Sequence, residues 1–178
     1  VKEKRKSEIT SSNLNILMTY FNDAPALEYP THLSFSDIQM DYLNNVESVY
    51  GGKYILNKLY IENIPINKRS VWCCDVNRTN FLIKTDVAWV VDKNATILMK
   101  KTINPVINML EKYSIRKNTK LLQDGNISNE AIDESVKMIT VIKEMNDKKI
   151  QQKIARKACG DFSMNKIEML DFIDKLQD

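Results

Sequence analysis

Histidine is nearly missing from the chain: His32 is the single imidazole in 178 residues. A helix carrying two histidines for zinc-dependent proteolysis therefore cannot be built. Cysteine is scarce too, with Cys73 and Cys74 adjacent and Cys159 far along the chain. An odd count with a neighbouring pair is no disulfide framework and points to a reducing, intracellular setting. With no CxxC and no HxxxH, neither a structural metal nor a cofactor is expected. A Cys–His pair drawn from Cys73 or Cys74 and His32 has a simpler reading, because His32 follows Pro30 closely and reads as a loop residue. Glycine is limited to Gly51, Gly52, Gly125 and Gly160, without a GxxxxGK[ST] or GxGxxG pattern. ATP-driven and dinucleotide-dependent chemistry lose their phosphate-cradling loop. The longest apolar run, Ala88-Trp89-Val90-Val91, falls far short of the ~18 residues of a membrane span, so no membrane partner is expected. Neither sign of charge dominates, at 26 Lys+Arg against 23 Asp+Glu.

What remains is the balance of a globular protein, 43% hydrophobic and 28% charged. The opening Val1-Lys2-Glu3-Lys4-Arg5-Lys6 lacks Met and an apolar stripe, and residues 1–10 read as a basic linker from a longer chain. Leu14, Leu17, Met18 and Phe21 recur at helical spacing, with Ser11 or Ser12 as cap and Asp23-Ala24-Pro25 as stop. A second helix is expected from Ser36, with Phe35 stapled on Met40 and a buried stripe of Ile38, Tyr42, Val46 and Val49, ending at Gly51-Gly52. A third, Lys53 to Glu62, turns Leu56, Leu59 and Tyr60 inward until Pro65. The period then changes. Val71 to Cys74, Asn80 to Lys84 and Ala88 to Val91 are rich in β-branched and aromatic residues and are broken by turn-like Asp75 to Arg78 and Thr85-Asp86. This predicts a three-stranded antiparallel meander. Three strands alone are marginal in water, so one face should rest on helices.

Helical spacing returns from about Thr96 to Tyr113, with Pro105 inside, and a polar connector from Ser114 to Asn129 holds the turn signal Asp124-Gly125-Asn126. Beyond it, one helix is expected on Ile132, Val136, Ile139, Ile142 and Met145, and a second over about Asp147 to Ala158. The last should be capped by Ser163, with Phe162 stapled on Ile167 and with Leu170, Ile173 and Leu176 inward. The fold class is therefore α+β, mostly helical with a small three-stranded antiparallel β-meander packed on helices. Residues 11–113 form an α+β domain with the meander at about 70–92, and residues 127–178 a helical C-terminal unit.

Charge is unevenly distributed. Seven basic residues and one acid, Glu111, lie between Lys93 and Lys120, and Lys148, Lys149, Lys153, Arg156 and Lys157 cluster opposite Ile150 and Ile154. Such clusters are the footprint of a phosphate-backbone binder, although solvated helix faces also carry them. The candidate contacts to nucleic acid are Lys68, Arg69, Arg78, Lys84, Lys100, Lys101, Arg116 and Lys117. Trp72, Phe81 and Trp89 lie beside several of them and could stack on bases, but aromatics in a small sheet are more often core. A metal-dependent nuclease could be assembled from Asp75, Asp86 and Asp92 with Lys84 or Lys93.

The stretch Lys68 to Asp75, with Arg78, Asn80 to Lys84 and Trp89 to Lys93, resembles a recurrent region in uncharacterised proteins of giant, mimivirus-like DNA viruses. Asn22-Asp23-Ala24-Pro25-Ala26-Leu27 and Asn104-Pro105-Val106 are similar to that region's flanks, and the resemblance spans about residues 13–113. It implies a C-terminal region standing behind a zinc-finger-like segment and a coiled coil. Cys74 stands where that family more often has a hydroxyl residue, which argues against a catalytic thiol. The expected function is a non-enzymatic interaction module of a viral protein, contacting nucleic acid in a regulatory or genome-associated role, in the host cytoplasm or virus factory. The alternatives are a protein–protein scaffold or dimerisation domain, through the last two helices, and the metal-dependent nuclease.

Overall fold

The computed structural model describes residues 12–28, 34–125, 127–164 and 167–177. The basic linker, the Ser11 cap, Pro30, His32 and Asn126 lie outside them. The expected meander is present as β1 (Val71–Asp75), β2 (Asn80–Lys84) and β3 (Trp89–Asp92), in the order β1-β2-β3 and antiparallel throughout. Register pairs Trp72 with Leu82 and Leu82 with Val91, while Val71, Ile83 and Val90 align on the opposite face. The turn between β1 and β2 is fixed by Asp75, whose Oδ1 accepts the N–H groups of Asn77 (3.1 Å) and Arg78 (3.2 Å).

Helices cover both faces of the sheet. Trp72, Leu82 and Trp89 pack on α1 (residues 12–20) and α7 (Ile167–Gln177) through Leu17, Phe21 and Met169. The Phe21 ring meets Trp72 edge-on at 5.8 Å and lies 5.5 Å from Phe172. The buried stripe of α7 is therefore Met169 with Phe172 and Ile173 beside it, whereas Leu170 and Leu176 face outward. Phe162 packs against Phe81 instead of stapling Ile167, and Ser163 pairs with the backbone of Cys73. Leu17 of α1 and Phe21 just after it are buried, and Met18 is exposed.

The other sheet face, with Val71, Cys73, Phe81 and Ile83, joins a larger core built on five helices. Ser36 caps α2 (Asp37–Asn45) in a capping box with Gln39. The stripe of α2 is Met40 and Leu43, while Ile38 stays 82% exposed and Tyr42 lies outside, because α3 and α5 dock on the Leu43 side. Gly51 and Gly52 do not end a helix. They lie buried inside α3 (Ser48–Tyr60), where a Cβ on Gly52 would stand 2.4–2.8 Å from Ile154 of α6 (Lys148–Ala158). The glycine thus permits close helix–helix approach.

Helix α4 (Thr96–Gln123) runs ten residues beyond Tyr113, so most of the expected polar connector is helical. Beyond Tyr113 the helix buries no side chain fully and exposes Ile115 and Leu122, so the inward apolar period of its first half does not continue. Asn94 (φ 55°) and Ala95 (φ 54°) turn the chain into α4, and neither caps it. Buried Asp92 does so instead, its two oxygens accepting the N–H groups of Ile97 (2.9 Å) and Leu98 (2.8 Å). Pro105 sits within α4, and Gly125, at φ 66°, follows its end. Ser128 caps α5 (Asn129–Asn146), and Asp147 caps α6. Met138, Val141, Met145 and Ile154 share one buried cluster with Leu43, Ile55 and Ile103. The inward residues of α5 are Met138, Val141 and Met145, so Ile132, Val136 and Ile139 remain outside.

Candidate nucleic-acid interface

The eight cations singled out in the sequence are not gathered on one surface. Three of them hold down the segment joining α1 to α2. Lys68 Nζ donates to the Asp23 carbonyl (3.4 Å), Lys84 Nζ to Asn22 Oδ1 (3.3 Å) and Lys101 Nζ to the Leu27 carbonyl (2.9 Å). Trp89 Nε1 donates to the Phe21 carbonyl (3.2 Å), Tyr60 to the Glu28 carbonyl (3.1 Å) and the Leu27 N–H to the Lys84 carbonyl (2.7 Å). The motif Asn22 to Leu27 and the meander are thus two halves of one structural contact.

Arg69 and Lys84 are buried. Arg69 stacks over Trp72 at 5.5 Å and pairs with Glu168 at 3.6 Å. Burial takes both residues out of the candidate interface, since a phosphate reaches only exposed cations. Trp72, Phe81 and Trp89 are buried as well, which removes the base-stacking option.

Lys117 bridges Glu134 (2.9 Å) and Asp41 (3.2 Å), and Tyr113 donates to the same Asp41 oxygen (2.9 Å). The Glu134 bond, with Asp41 behind it, holds the Lys117 ammonium above its usual range. Burial, then the bond to Asp41, raises the Tyr113 phenol. Arg116 and Lys117 both lie 5.9 Å from the Tyr113 ring. They line an open cleft of about 470 Å³ whose three cations, Arg116, Lys117 and Lys120, face Asp37, Asp41 and Asp124. The cleft is charge-balanced, and Lys117 is neutralised by helices more than sixteen residues away, for which the sequence carries no local signal. Of the eight, Arg78, Lys100 and Arg116 remain exposed with no side-chain hydrogen bond or ion pair among the described residues. They sit on the β1–β2 turn and at distant points of α4.

The second basic cluster behaves differently. Ile150, Ile154 and Ala158 seat α6 on α3, and the opposite face exposes Lys148, Lys149, Lys153 and Arg156. Helix α6 contains no carboxylate, and none of these four has an ion-pair partner among the described residues. The nearest acid in sequence, Asp147, is occupied by the N–H groups of Lys149 (2.7 Å) and Ile150 (3.2 Å). Lys157 leans over Tyr50 at 4.8 Å, and Lys53 on α3 is matched by Asp161 at 2.8 Å. The 3-10 turn Lys93–Ala95 packs on α6, and its Lys93 is exposed. Lys149, Lys153 and Arg156 follow at i, i+4 and i+7, so they share one face.

The carboxylates proposed for a nuclease are separated. Asp75 pairs with Asn80 at one end of β2, Asp86 lies exposed beyond the other end, a strand length of about 14 Å, and Asp92 is buried as the cap of α4. Among the described residues no three metal-binding side chains meet. The thiols are not poised for attack either: contact with Cys73 lowers Cys159, but that thiol is fully buried. Contact with Cys159 and burial raise Cys73, and burial pushes Cys74 up to about 11. No helix among the described residues is long and apolar enough to cross a membrane. Compared with protein families, curated proteins and solved structures, the chain gives no match.

Proposed function

We propose that the chain is a non-enzymatic interaction module that binds the phosphate backbone of nucleic acid through the outer face of α6. The observation that carries this reading is an eleven-residue helix with five cations and no acid, all five exposed and without ionic partners among the described residues. Leaving such charges uncompensated raises the local positive potential, which attracts a polyanion and is of no use to the fold. Lys149 to Arg156 spans about 10 Å of helix axis, over which duplex DNA presents roughly six phosphates. With the sheet aromatics buried, the sheet offers bases no stacking platform, and backbone contacts carry no sequence information, so binding is expected to be sequence-independent. The resemblance to giant-virus proteins supplies the setting, a genome-associated or regulatory viral protein in the host cytoplasm or virus factory.

Fluorescence anisotropy with mixed-sequence duplex DNA and RNA at low salt tests the proposal. The variant Lys149→Gln/Lys153→Gln/Arg156→Gln should bind about ten- to a hundredfold more weakly than the parent. A parent chain that binds neither duplex, or a triple variant that binds as well as the parent, overturns it.

A further inference from the structure

The α4–α5 hairpin carries a second surface that the fold does not use. Ile115 and Leu122 of α4, Ile127 of the connection, and Ile132, Val136 and Ile139 of α5 are each 50–67% exposed. All but Ile115 line a groove of about 240 Å³, floored by Asn118, Leu121, Ala131 and Ser135, and no charged side chain enters it. Ser135 Oγ donates to Asn118 Oδ1 (2.6 Å), so the polar pair in the floor is satisfied internally. In a chain with 28% charged residues, a groove without one is a surface kept dry.

We infer that this groove is the contact between two copies of the chain. The six side chains leave on the order of 600 Å² of apolar surface open, the upper end of what a monomer exposes in one patch. That is close to the about 800 Å² per partner of a stable interface, which the rim residues can complete. A self-complementary patch needs a two-fold axis, and a helical hairpin supplies it. With the axis along the helices, α4 of each copy lies on α5 of the other, giving a four-helix layer. Helices α6 and α7 take no part in this contact.

Sedimentation velocity and equilibrium across a concentration series of the whole chain decide the point. The parent should move from 20.6 kDa toward twice that mass as concentration rises. Val136→Asp and Ile139→Asp, both on the exposed face, should keep the circular-dichroism spectrum and unfolding midpoint of the parent and remain monomeric. Ile38→Asp, on the isolated exposed side of α2, should dimerise like the parent. A parent that stays monomeric overturns the inference and leaves the groove to a different protein. So does a dimer that survives both groove substitutions.

Discussion

Lys84 shows how a residue that looks like a ligand contact can belong to the fold. Its neighbours in sequence are aromatic and β-branched, the company of a nucleic-acid reader, yet its ammonium reaches back to Asn22 and its side chain is buried. Lys84→Ala should destabilise the chain by about 1.5–3 kcal/mol, the range of a hydrogen bond to a charged group, and leave nucleic-acid affinity unchanged. Urea unfolding beside anisotropy separates the two effects, and an intact fold with lost affinity would contradict this assignment. Asp92 is another residue whose role could not be read locally, since its partners are backbone N–H groups five and six positions on. Burial pushes its carboxyl up, against the pull of those N–H groups. A carboxyl held above its ordinary value keeps its proton longer in the folded chain than in the unfolded one. Its contribution to stability is therefore fullest below about pH 4 and is lost as pH rises through the raised value. Relative to Asp92→Asn, the wild type should lose stability as pH rises from about 4 through the raised value. Urea unfolding at several pH values measures this, and a relative gain with pH would contradict it.

At the scale of elements, the strands, the Ser36 cap and the buried faces of α3 and α4 were legible, whereas the buried faces of α2, α5 and α7 were not. Alternating apolar residues with turn-forming breaks define β1 to β3 locally, and the Ser36–Gln39 and Ser128 caps are short-range chemistry. Helices α2, α5 and α7 each carry apolar residues on more than one face, and the docking partner selects which is buried. Leu43, Met138 and Met169 were chosen by neighbours far away in the chain. Gly51-Gly52 was misleading for the same reason, because glycine serves a turn and a close helix crossing equally well. Gly52→Ala should gain up to about 1 kcal/mol of helix propensity. Against that, overpacking on Ile154 costs about 1–3 kcal/mol, for a net loss of stability. Adding Ile154→Ala should turn the same glycine substitution from harmful to neutral or helpful. A stabilising Gly52→Ala in the parent background would contradict the close approach of α3 and α6.

For the whole molecule, the sheet lies between two helical layers, and the cations that stabilise this arrangement must be told apart from those that face outward unpaired. Net charge could not make that distinction, and clustering in sequence made it only in part. Lys93 to Lys120 is the denser-looking cluster, but its cations divide between carbonyl contacts, the Asp41–Lys117–Glu134 bridge and separate faces of α4. The shorter cluster on α6 stays together because one face of that helix is fully occupied by α3. The most direct test of the α6 interface is the slope of log affinity against log salt concentration for duplex DNA. The triple substitution of Lys149, Lys153 and Arg156 removes three phosphate contacts and should flatten that slope by about 3, at roughly 0.9 per contact. Equal slopes for the parent and the triple variant would contradict an interface on α6.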